Sequence, residues 1–282
     1  MDSNREYKDS FFRMLFKVPE KALKLYCDIT GKTYNKDAVI EMKTLDTVLL
    51  SRLRNDLAFI VNGTLIVILE HQSTLNKNMP LRSLQYVLMF YEIYFKLGDA
   101  LYKEKLIQLP KPEFYVLYNG PKPCPSRGVM RLSDAFSGLE ADERPGLELI
   151  VNVININYGE NTEVLEKNAD LKGYSLFVAK VRERQKERKT LAEAIRAAVD
   201  ECLSEGVLTE FLKAHGNEVE AMFSLVYDAE KSIQYAREEG REEGITISTG
   251  VIRALREKKP VDEIAAQYHI SAEKIEQLLS VL

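Results

Sequence analysis

Two apolar segments on either side of Asn62-Gly63 constrain the fold of this chain most strongly. Residues 56–61 and 64–69 are rich in β-branched and aromatic side chains, and an Asn-Gly pair between such segments is a typical hairpin signal. In the second segment, apolar residues occupy both faces of the expected strand. A strand with two apolar faces is buried on both sides. The sequence therefore predicts a central strand in a sheet that is covered by helices on two faces.

The pattern of apolar residues changes its period along the rest of the chain. Helical spacing predicts three helices before residue 100, over residues 7–16, 19–30 and 80–97. Three further apolar segments predict strands, over residues 47–50, 113–118 and 147–156. Residues 119–146 form a surface region rich in Pro and Gly, and the pattern beyond residue 162 is helical. The predicted fold class is α/β, with a mixed central sheet flanked by helices and followed by a helical C-terminal region.

The length of the chain sets the expected domain organisation. With 282 residues, 45% of them hydrophobic, the chain can form one main domain and a smaller appendage. We expect the main domain over residues 1–175 and a helical region over residues 176–244. A charged repeat around Gly240 and Gly244 predicts a hinge or a frayed helix at the end of that region. A small helical unit is expected over residues 245–282.

The last unit contains a helix-turn-helix pattern. Residues 261–275 have the appropriate spacing, and Ser271 is the expected N-cap of the second helix. That second helix would expose Glu273, Lys274 and Glu276, which match a phosphate backbone poorly. Both a DNA-reading unit and a packing or oligomerisation unit therefore remain open for this segment.

The composition of the chain says more about its cellular compartment than about the molecules it binds. The formal net charge of −4 provides no global positive field, so any contact with nucleic acid would need a local basic patch. Cys27, Cys124 and Cys202 lack the spacing of a zinc site or a disulfide framework, which favours a reducing compartment. No apolar run is long enough to cross a bilayer. We expect a cytoplasmic protein without a membrane span.

A compact set of polar residues accompanies the two hairpin strands. Asp56 lies at the start of the first strand, and Glu70-His71-Gln72 follows the second. Mg²⁺ prefers oxygen ligands and retains several waters, so two carboxylates and one backbone carbonyl suffice to hold it. Asp56, Glu70 and the His71 carbonyl are therefore the candidate ligands of Mg²⁺ or Mn²⁺. Because strand side chains alternate, Gln72 shares a face with Glu70 and can orient water or contact a phosphate oxygen, while the His71 side chain points away.

The loop at Asn62-Gly63 decides whether the two carboxylates meet. In a two-residue loop, Asp56 and Glu70 would point to opposite faces of the sheet. A three-residue loop, with Gly63 in a left-handed conformation and an adjoining bulge, would bring both to one face. We expect the three-residue loop, and a plain two-residue hairpin would count against a metal site.

Several motifs accompany this pattern: Lys8-Asp9-Ser10-Phe11-Phe12-Arg13, Asn55-Asp56, Glu70-His71-Gln72-Ser73, Arg82 with Tyr86, and Tyr118-Asn119-Gly120. An Asp, a hairpin strand and then Glu-x-Lys or Glu-x-Gln before a helix is similar to the PD-(D/E)XK nuclease superfamily. More specifically, the motifs resemble the recombination-promoting nuclease (Rpn) family, whose members are also described as transposases. The resemblance covers roughly residues 7–174 and the Gly-Arg-Glu-Glu-Gly tail.

This resemblance implies a restriction-endonuclease-like fold over residues 1–175. It implies a metal-dependent DNA endonuclease with little sequence specificity and a role in recombination or mobile elements. Asp56 and Glu70 would bind the metal ion, and Gln72 would take the place usually held by lysine. Glutamine cannot supply a positive charge, which predicts slow turnover, although glutamine is usual at this position in the family. An acidic residue of the first helix would also reach the site, and Asp9 is the candidate.

Other expectations about partners remain to be tested. Arg82 and Tyr86, one helical turn apart, either bind the phosphates of DNA or simply pack together. Because duplex cleavage usually requires two active centres, we expect a homodimer. Two alternative functions are open: an inactive nuclease fold that binds DNA or oligomerises, and a helical interaction protein in which the carboxylate pair is accidental.

Overall fold

One mixed sheet organises the first part of the chain. Its strands, among the residues that this computed structural model describes, are β1 (Ile40–Met42), β2 (Leu57–Val61), β3 (Leu65–Gln72), β4 (Lys111–Tyr118), β5 (Arg127–Arg131) and β6 (Ile150–Asn155). Their order in the sheet is β1-β2-β3-β4-β6-β5. Neighbours among β1, β2 and β3 are antiparallel, β3, β4 and β6 run parallel, and β5 is antiparallel to β6. The predicted α/β class with a mixed central sheet is confirmed.

The structure describes residues 3–35, 37–43, 56–140, 142–187, 189–215, 238, 240–257 and 259–279. The chain divides into two compact units, Met1–Val226 and Tyr227–Leu282. The strand predicted over residues 47–50 lies outside the described residues. Within the described ranges, none of the helices combines the length and the apolar character that a membrane span requires.

Helices cover both faces of the sheet. They are α1 (Ser3–Phe16), α2 (Pro19–Thr30), α3 (Met79–Phe95), α4 (Thr162–Lys167), α5 (Ala169–Lys186), α6 (Leu191–Ser204) and α7 (Thr209–Ala214). One apolar core joins α1, α2 and α4–α7 to the sheet, and a second core joins α3 to the opposite face. The α2 helix has the predicted bounds and ends at Gly31, whose φ of 75° favours a residue without a side chain.

The predicted central strand is β3. All eight of its residues are buried, and β3 lies between β2 and β4 in the sheet. Val67 and Leu69 pack into the core on the α1 face, whereas Ile66 and Ile68 pack into the core on the α3 face. Burying each such side chain contributes roughly 1.5–3 kcal/mol. Because both faces are covered, the direction in which each later side chain of β3 points is fixed.

The hairpin loop between β2 and β3 has three residues, as predicted. Val61 pairs with Leu65, which leaves Asn62, Gly63 and Thr64 in the loop. Both Asn62 and Gly63 adopt positive φ angles, 50° and 65°. The Asn62 side chain stabilises this turn because its Oδ1 accepts a hydrogen bond from the Val39 N–H at 2.8 Å. Because of this register, Asp56 and Glu70 fall on the same face of the sheet, as a pair of metal ligands requires.

The predicted organisation needs correction in two places. The short strands β1 and β5 were not predicted, and β5 lies inside the region expected to be an irregular surface. The domain boundary expected at residue 175 falls within α5, because Val178 of α5 and Ile195 of α6 are buried in the same core as Phe11 of α1. Residues 176–214 thus belong to the first compact unit.

The second unit contains three helices within its described residues. They are α8 (residues 240–256), α9 (Val261–Tyr268) and α10 (Ala272–Leu279). Val251, Ala254, Ile264 and Ile275 form their small apolar core. The helix-turn-helix spacing is present, with Ser271 directly before α10. Residues 240–244, where either a hinge or a frayed helix was expected, are part of the helix α8. Whether this unit contacts DNA stays a prediction.

Candidate active site

Asp56 and the end of β3 lie side by side. The pairing of Leu57 with Leu69 places Asp56 next to Glu70 in the continued register. The Asp56 carboxylate also accepts a hydrogen bond from the backbone N–H of His71, with Oδ2 2.7 Å from the nitrogen. This bond continues the hairpin ladder with a side chain and holds Asp56 against the Glu70-His71 peptide. The structure therefore brings together the two predicted metal ligands.

Glu70 is a buried carboxylate with incomplete hydrogen bonding. Its exposed fraction is 5%, and its Oε1 has no hydrogen-bond partner among the residues that the structure describes. Its Oε2 lies 3.6 Å from Nη2 of Arg82. Burial, followed by repulsion from the Asp56 carboxylate, raises the pKa of Glu70 well above its usual value, although Arg82 acts in the opposite direction. The ionised form of Glu70 is thus poorly compensated by the protein alone.

Gln72 shares the α3 face of β3 with Glu70. Its side-chain Oε1 accepts a hydrogen bond from the Asn76 N–H at 3.1 Å, which fixes the orientation of the amide. Its Nε2 is buried and has no hydrogen-bond partner in the described part of the chain. A buried amide donor without a partner is costly, because desolvation of the group is not offset by a new hydrogen bond. Gln72 therefore presents an N–H group that is available to an incoming acceptor.

Arg82 and Tyr86 lie in the first two turns of α3 and contact each other. The Arg82 Nη2 donates to the Tyr86 hydroxyl at 2.5 Å. Burial, together with the nearby Glu70 carboxylate, raises the pKa of Tyr86 to about 12, so the phenol is neutral at physiological pH. The two side chains therefore do pack together, and Arg82 also neutralises part of the charge of Glu70. Their expected contact with DNA phosphates stays a prediction.

The His71 side chain points to the opposite face, as predicted. Its Nδ1 lies 3.0 Å from Oδ1 of Asp9, and its Nε2 lies 2.9 Å from the Tyr174 hydroxyl. Burial lowers the pKa of His71, although Asp9 acts in the opposite direction, so the imidazole is neutral. The Asp9 carboxylate contacts His71 and also acts electrostatically on Glu70, so its expected place beside the metal ligands stays a prediction. Because strand side chains alternate, residue 71 of β3 points toward α1 and residue 70 points toward α3.

Two cationic residues of α1 near the site were not predicted. Arg13 Nε lies 4.0 Å from Oδ1 of Asp56. Lys8 is buried, and its Nζ lies 3.4 Å from the hydroxyl of Ser73, the residue after Gln72. The available signal was their sequence position, since Lys8 and Arg13 are both on the helix that carries Asp9. These residues add positive charge beside a pair of acidic residues.

The donor set fits a divalent cation. Among the residues described, no group of three or more His, Cys, Asp or Glu side chains is arranged to hold a metal ion. Asp56 and Glu70 form a pair, and Mg²⁺ often uses only one or two protein carboxylates. The buried Glu70 Oε1 without a partner is the observation that favours a cation, because a cation would compensate the repulsion between the two carboxylates. The His71 backbone carbonyl remains the predicted third ligand.

Comparison of this chain with protein-family models, with curated proteins and with solved structures finds no match. The geometry and chemistry of the site therefore carry the functional argument.

Proposed function

We propose that this chain is a metal-dependent DNA endonuclease that hydrolyses phosphodiester bonds with little sequence specificity. The observation that carries the proposal is the pair formed by Asp56 and Glu70, in which Glu70 Oε1 is buried without a hydrogen-bond partner among the described residues. Burial and repulsion disfavour the charge of Glu70, so the pair is costly to the folded chain unless a cation binds. Such a cost is characteristic of functional sites.

The neighbouring side chains have the chemistry that phosphodiester hydrolysis needs. Gln72 Nε2 can donate a hydrogen bond to the attacking water or to a phosphate oxygen. Arg82, held by Tyr86, can exchange its contact with Glu70 for a contact with a phosphate oxygen. A Mg²⁺ or Mn²⁺ ion, when bound, would stabilise negative charge on the phosphate and lower the pKa of water. Asp56, Glu70 and the His71 carbonyl would hold that ion.

Further parts of the proposal follow from the same resemblance. We propose a restriction-endonuclease-like arrangement for the mixed sheet and its flanking helices, and a role in recombination or mobile elements. We also propose a homodimer for cleavage of both strands of a duplex. Light scattering on the full chain tests the last point, and a strictly monomeric protein with and without DNA would contradict it.

Plasmid nicking in the presence of Mg²⁺ or Mn²⁺ tests the activity. The comparison includes the wild type, Asp56→Asn, Glu70→Gln and the control Glu104→Gln, which changes an exposed glutamate. Loss of cleavage in the first two variants, with full cleavage in the control, supports the nuclease. DNA binding without cleavage in the wild type would favour the inactive nuclease fold. Neither binding nor cleavage would favour the interaction protein.

A further inference from the structure

A polar cavity lies at the carboxyl ends of β4 and β6. Its volume is about 610 Å³, within the range of small-ligand pockets. The lining residues that matter here are Lys122, Pro123, Asn157, Tyr158, Glu160 and Arg182. Two of them are cationic and one is acidic, so the described lining carries a net positive charge. The cavity combines cationic groups, amides and an aromatic ring, and the proposed hydrolysis does not use any of them.

The loop that forms one wall of this cavity is held in place by side chains. The Tyr118 hydroxyl donates to the Lys122 carbonyl at 2.9 Å and accepts from the Lys122 N–H at 3.1 Å. Asn155 Nδ2 donates to the Cys124 carbonyl at 2.7 Å, and Asn157 Nδ2 donates to the Gly120 carbonyl at 3.0 Å. Three prolines in residues 121–125 restrict the loop further. A wall ordered before binding reduces the entropic cost of holding a ligand.

Arg182 reaches the cavity from α5 and is also fixed in orientation. Its Nη1 donates to Asn157 Oδ1 at 2.8 Å, and its Nη2 donates to both the backbone carbonyl and the side-chain Oδ1 of Asn119. These three acceptors are amide oxygens, and the bonds to them fix the orientation of the guanidinium. A planar guanidinium held in this way suits recognition of a phosphate group.

The cavity is close to the candidate active site along the sheet. Gln72 pairs with Tyr118, and Tyr118 pairs with Asn155, so the three residues form one row across β3, β4 and β6. Adjacent strands are about 4.8 Å apart, which places Asn155 roughly 10 Å from Gln72. A side chain on Gly120 would lie 2.2 Å from the backbone oxygen of Ser73, which shows how closely the two loops approach. One strand of nucleic acid can therefore reach both places.

We propose that this cavity binds one nucleotide of single-stranded DNA, with its phosphate at Arg182 and Lys122 and its base against Tyr158. Tyr158 is 46% exposed, and its ring offers a stacking surface that accepts any base. The proposal deepens the proposed function, since it assigns the cavity to the substrate strand beside the scissile phosphate. It predicts that the enzyme engages a locally unpaired strand next to the cleavage point.

Binding of a fluorescein-labelled oligo(dT) to the full chain in EDTA tests this assignment by fluorescence anisotropy. Tyr158→Ala should weaken binding at least about fivefold because base stacking is lost, and Tyr158→Phe should retain the wild-type affinity. Lys122→Ala should lower the slope of log affinity against log salt by about 0.7, the value for one phosphate contact on a single strand. Tyr102→Ala and Lys103→Ala are matched exposed controls and should leave binding unchanged.

The outcomes separate this proposal from the nuclease proposal, because oligonucleotide binding is measured without metal and cleavage is measured in a separate plasmid assay with metal. Absence of oligonucleotide binding, or equal affinity for the wild type and Tyr158→Ala, would overturn the nucleotide cavity even if plasmid nicking is observed. Displacement of the oligonucleotide by micromolar inorganic phosphate would assign the cavity to a free anion and would also overturn it. Tyr158-dependent binding in a protein that does not nick plasmid would support the cavity and contradict the nuclease.

Discussion

Glu70 and Glu113 are two glutamates of neighbouring strands in one sheet, and their surroundings are opposite. Glu113 accepts hydrogen bonds from Lys32, Lys111, Tyr26 and Tyr115, at distances from 2.7 to 2.9 Å. Glu70 has a distant contact with Arg82 and an oxygen without a partner among the described residues. The fold compensates the Glu113 carboxylate with four donors, whereas the Asp56 backbone and Arg82 compensate Glu70 only in part.

The pKa values of the two carboxyl groups follow this difference. Partial burial would raise the pKa of Glu113, but hydrogen bonds from Lys111, Lys32 and the tyrosines lower it to about 2. Burial and Asp56 raise the pKa of Glu70. Glu113 pairs near the amino end of β4, whereas Glu70 lies near the carboxyl end of β3, where ligands bind in open α/β sheets. Both carboxylates are penalised by burial, and the number of hydrogen bonds that offset this penalty distinguishes the structural Glu113 from the candidate catalytic Glu70.

The largest expected effect is on cleavage. Glu70→Gln should lower the rate of plasmid nicking by about 10³-fold or more, because the loss of one of two carboxylate ligands removes several kcal/mol of stabilisation. Glu113→Gln should stay within a few fold of the wild type at a temperature where both variants are folded. Nicking rates measured beside circular dichroism check this. Equal loss in both variants would show that the difference between the two glutamates has no functional meaning.

The next effect is on stability. Glu113→Gln replaces the charged acceptor shared by two ammonium groups and two phenols with a neutral amide that has one accepting oxygen, and should lower the free energy of unfolding by roughly 2–3 kcal/mol. Urea denaturation measured on the wild type, Glu113→Gln and the exposed control Glu104→Gln checks this value. An unchanged urea midpoint in Glu113→Gln would mean that the cluster around Glu113 contributes little.

Local patterns in the sequence were sufficient to predict the central part of the site. The continuous apolar segment predicted β3, and the Asn62-Gly63 pair predicted the hairpin, so the shared face of Asp56 and Glu70 could be expected before the structure. These features depend on residues that are close in the chain. The face on which each side chain of a hairpin lies depends only on nearby residues, which is why it could be predicted from the sequence.

Long-range and weakly patterned features could not be predicted in the same way. Tyr26 and Glu113 are 87 residues apart, and Asp9 and His71 are 62 residues apart, so only the fold brings each pair together. The spacing of Lys111, Glu113 and Tyr115 on one face of a strand was a usable sign of the cluster. By contrast, β5 gave no signal, because its residues are mostly exposed and lack an apolar face.

A smaller effect is expected in the acid range. The pKa of Glu113 in the folded state, about 2, lies below its ordinary value of 4.5, so its ionisation stabilises the fold fully above pH 4.5. This contribution is lost as the pH falls from about 4.5 to about 2. Since the group is partly exposed, solvent screening reduces it to the order of 1–2 kcal/mol. Urea midpoints should therefore fall more steeply with acid in the wild type than in Glu113→Gln, and parallel curves would contradict this origin.

The smallest expected effect is a gain in stability for Glu70→Gln in EDTA, opposite in sign to the loss of stability expected for Glu113→Gln. Because the folded-state pKa of Glu70 is raised, its ionised form opposes folding at neutral pH, and a neutral amide of the same shape should stabilise the metal-free protein by about 1 kcal/mol. Arg82 keeps its hydrogen bond to Tyr86 in this variant. Thermal unfolding in EDTA should thus give a slightly higher Tm for Glu70→Gln than for the wild type.

Added Mg²⁺ should then reverse that order. A ligand that binds only the folded state raises its stability by RT ln(1 + [L]/Kd), so the wild-type Tm should increase with the Mg²⁺ concentration while that of Glu70→Gln stays nearly constant. Glu113→Gln serves as the matched control, since it should respond to Mg²⁺ as the wild type does although it starts from a lower Tm. A Glu70→Gln protein that is less stable than the wild type in EDTA would place Glu70 with Glu113 as a structural carboxylate. In that case the distinction between a satisfied and an unsatisfied glutamate would no longer support a metal site.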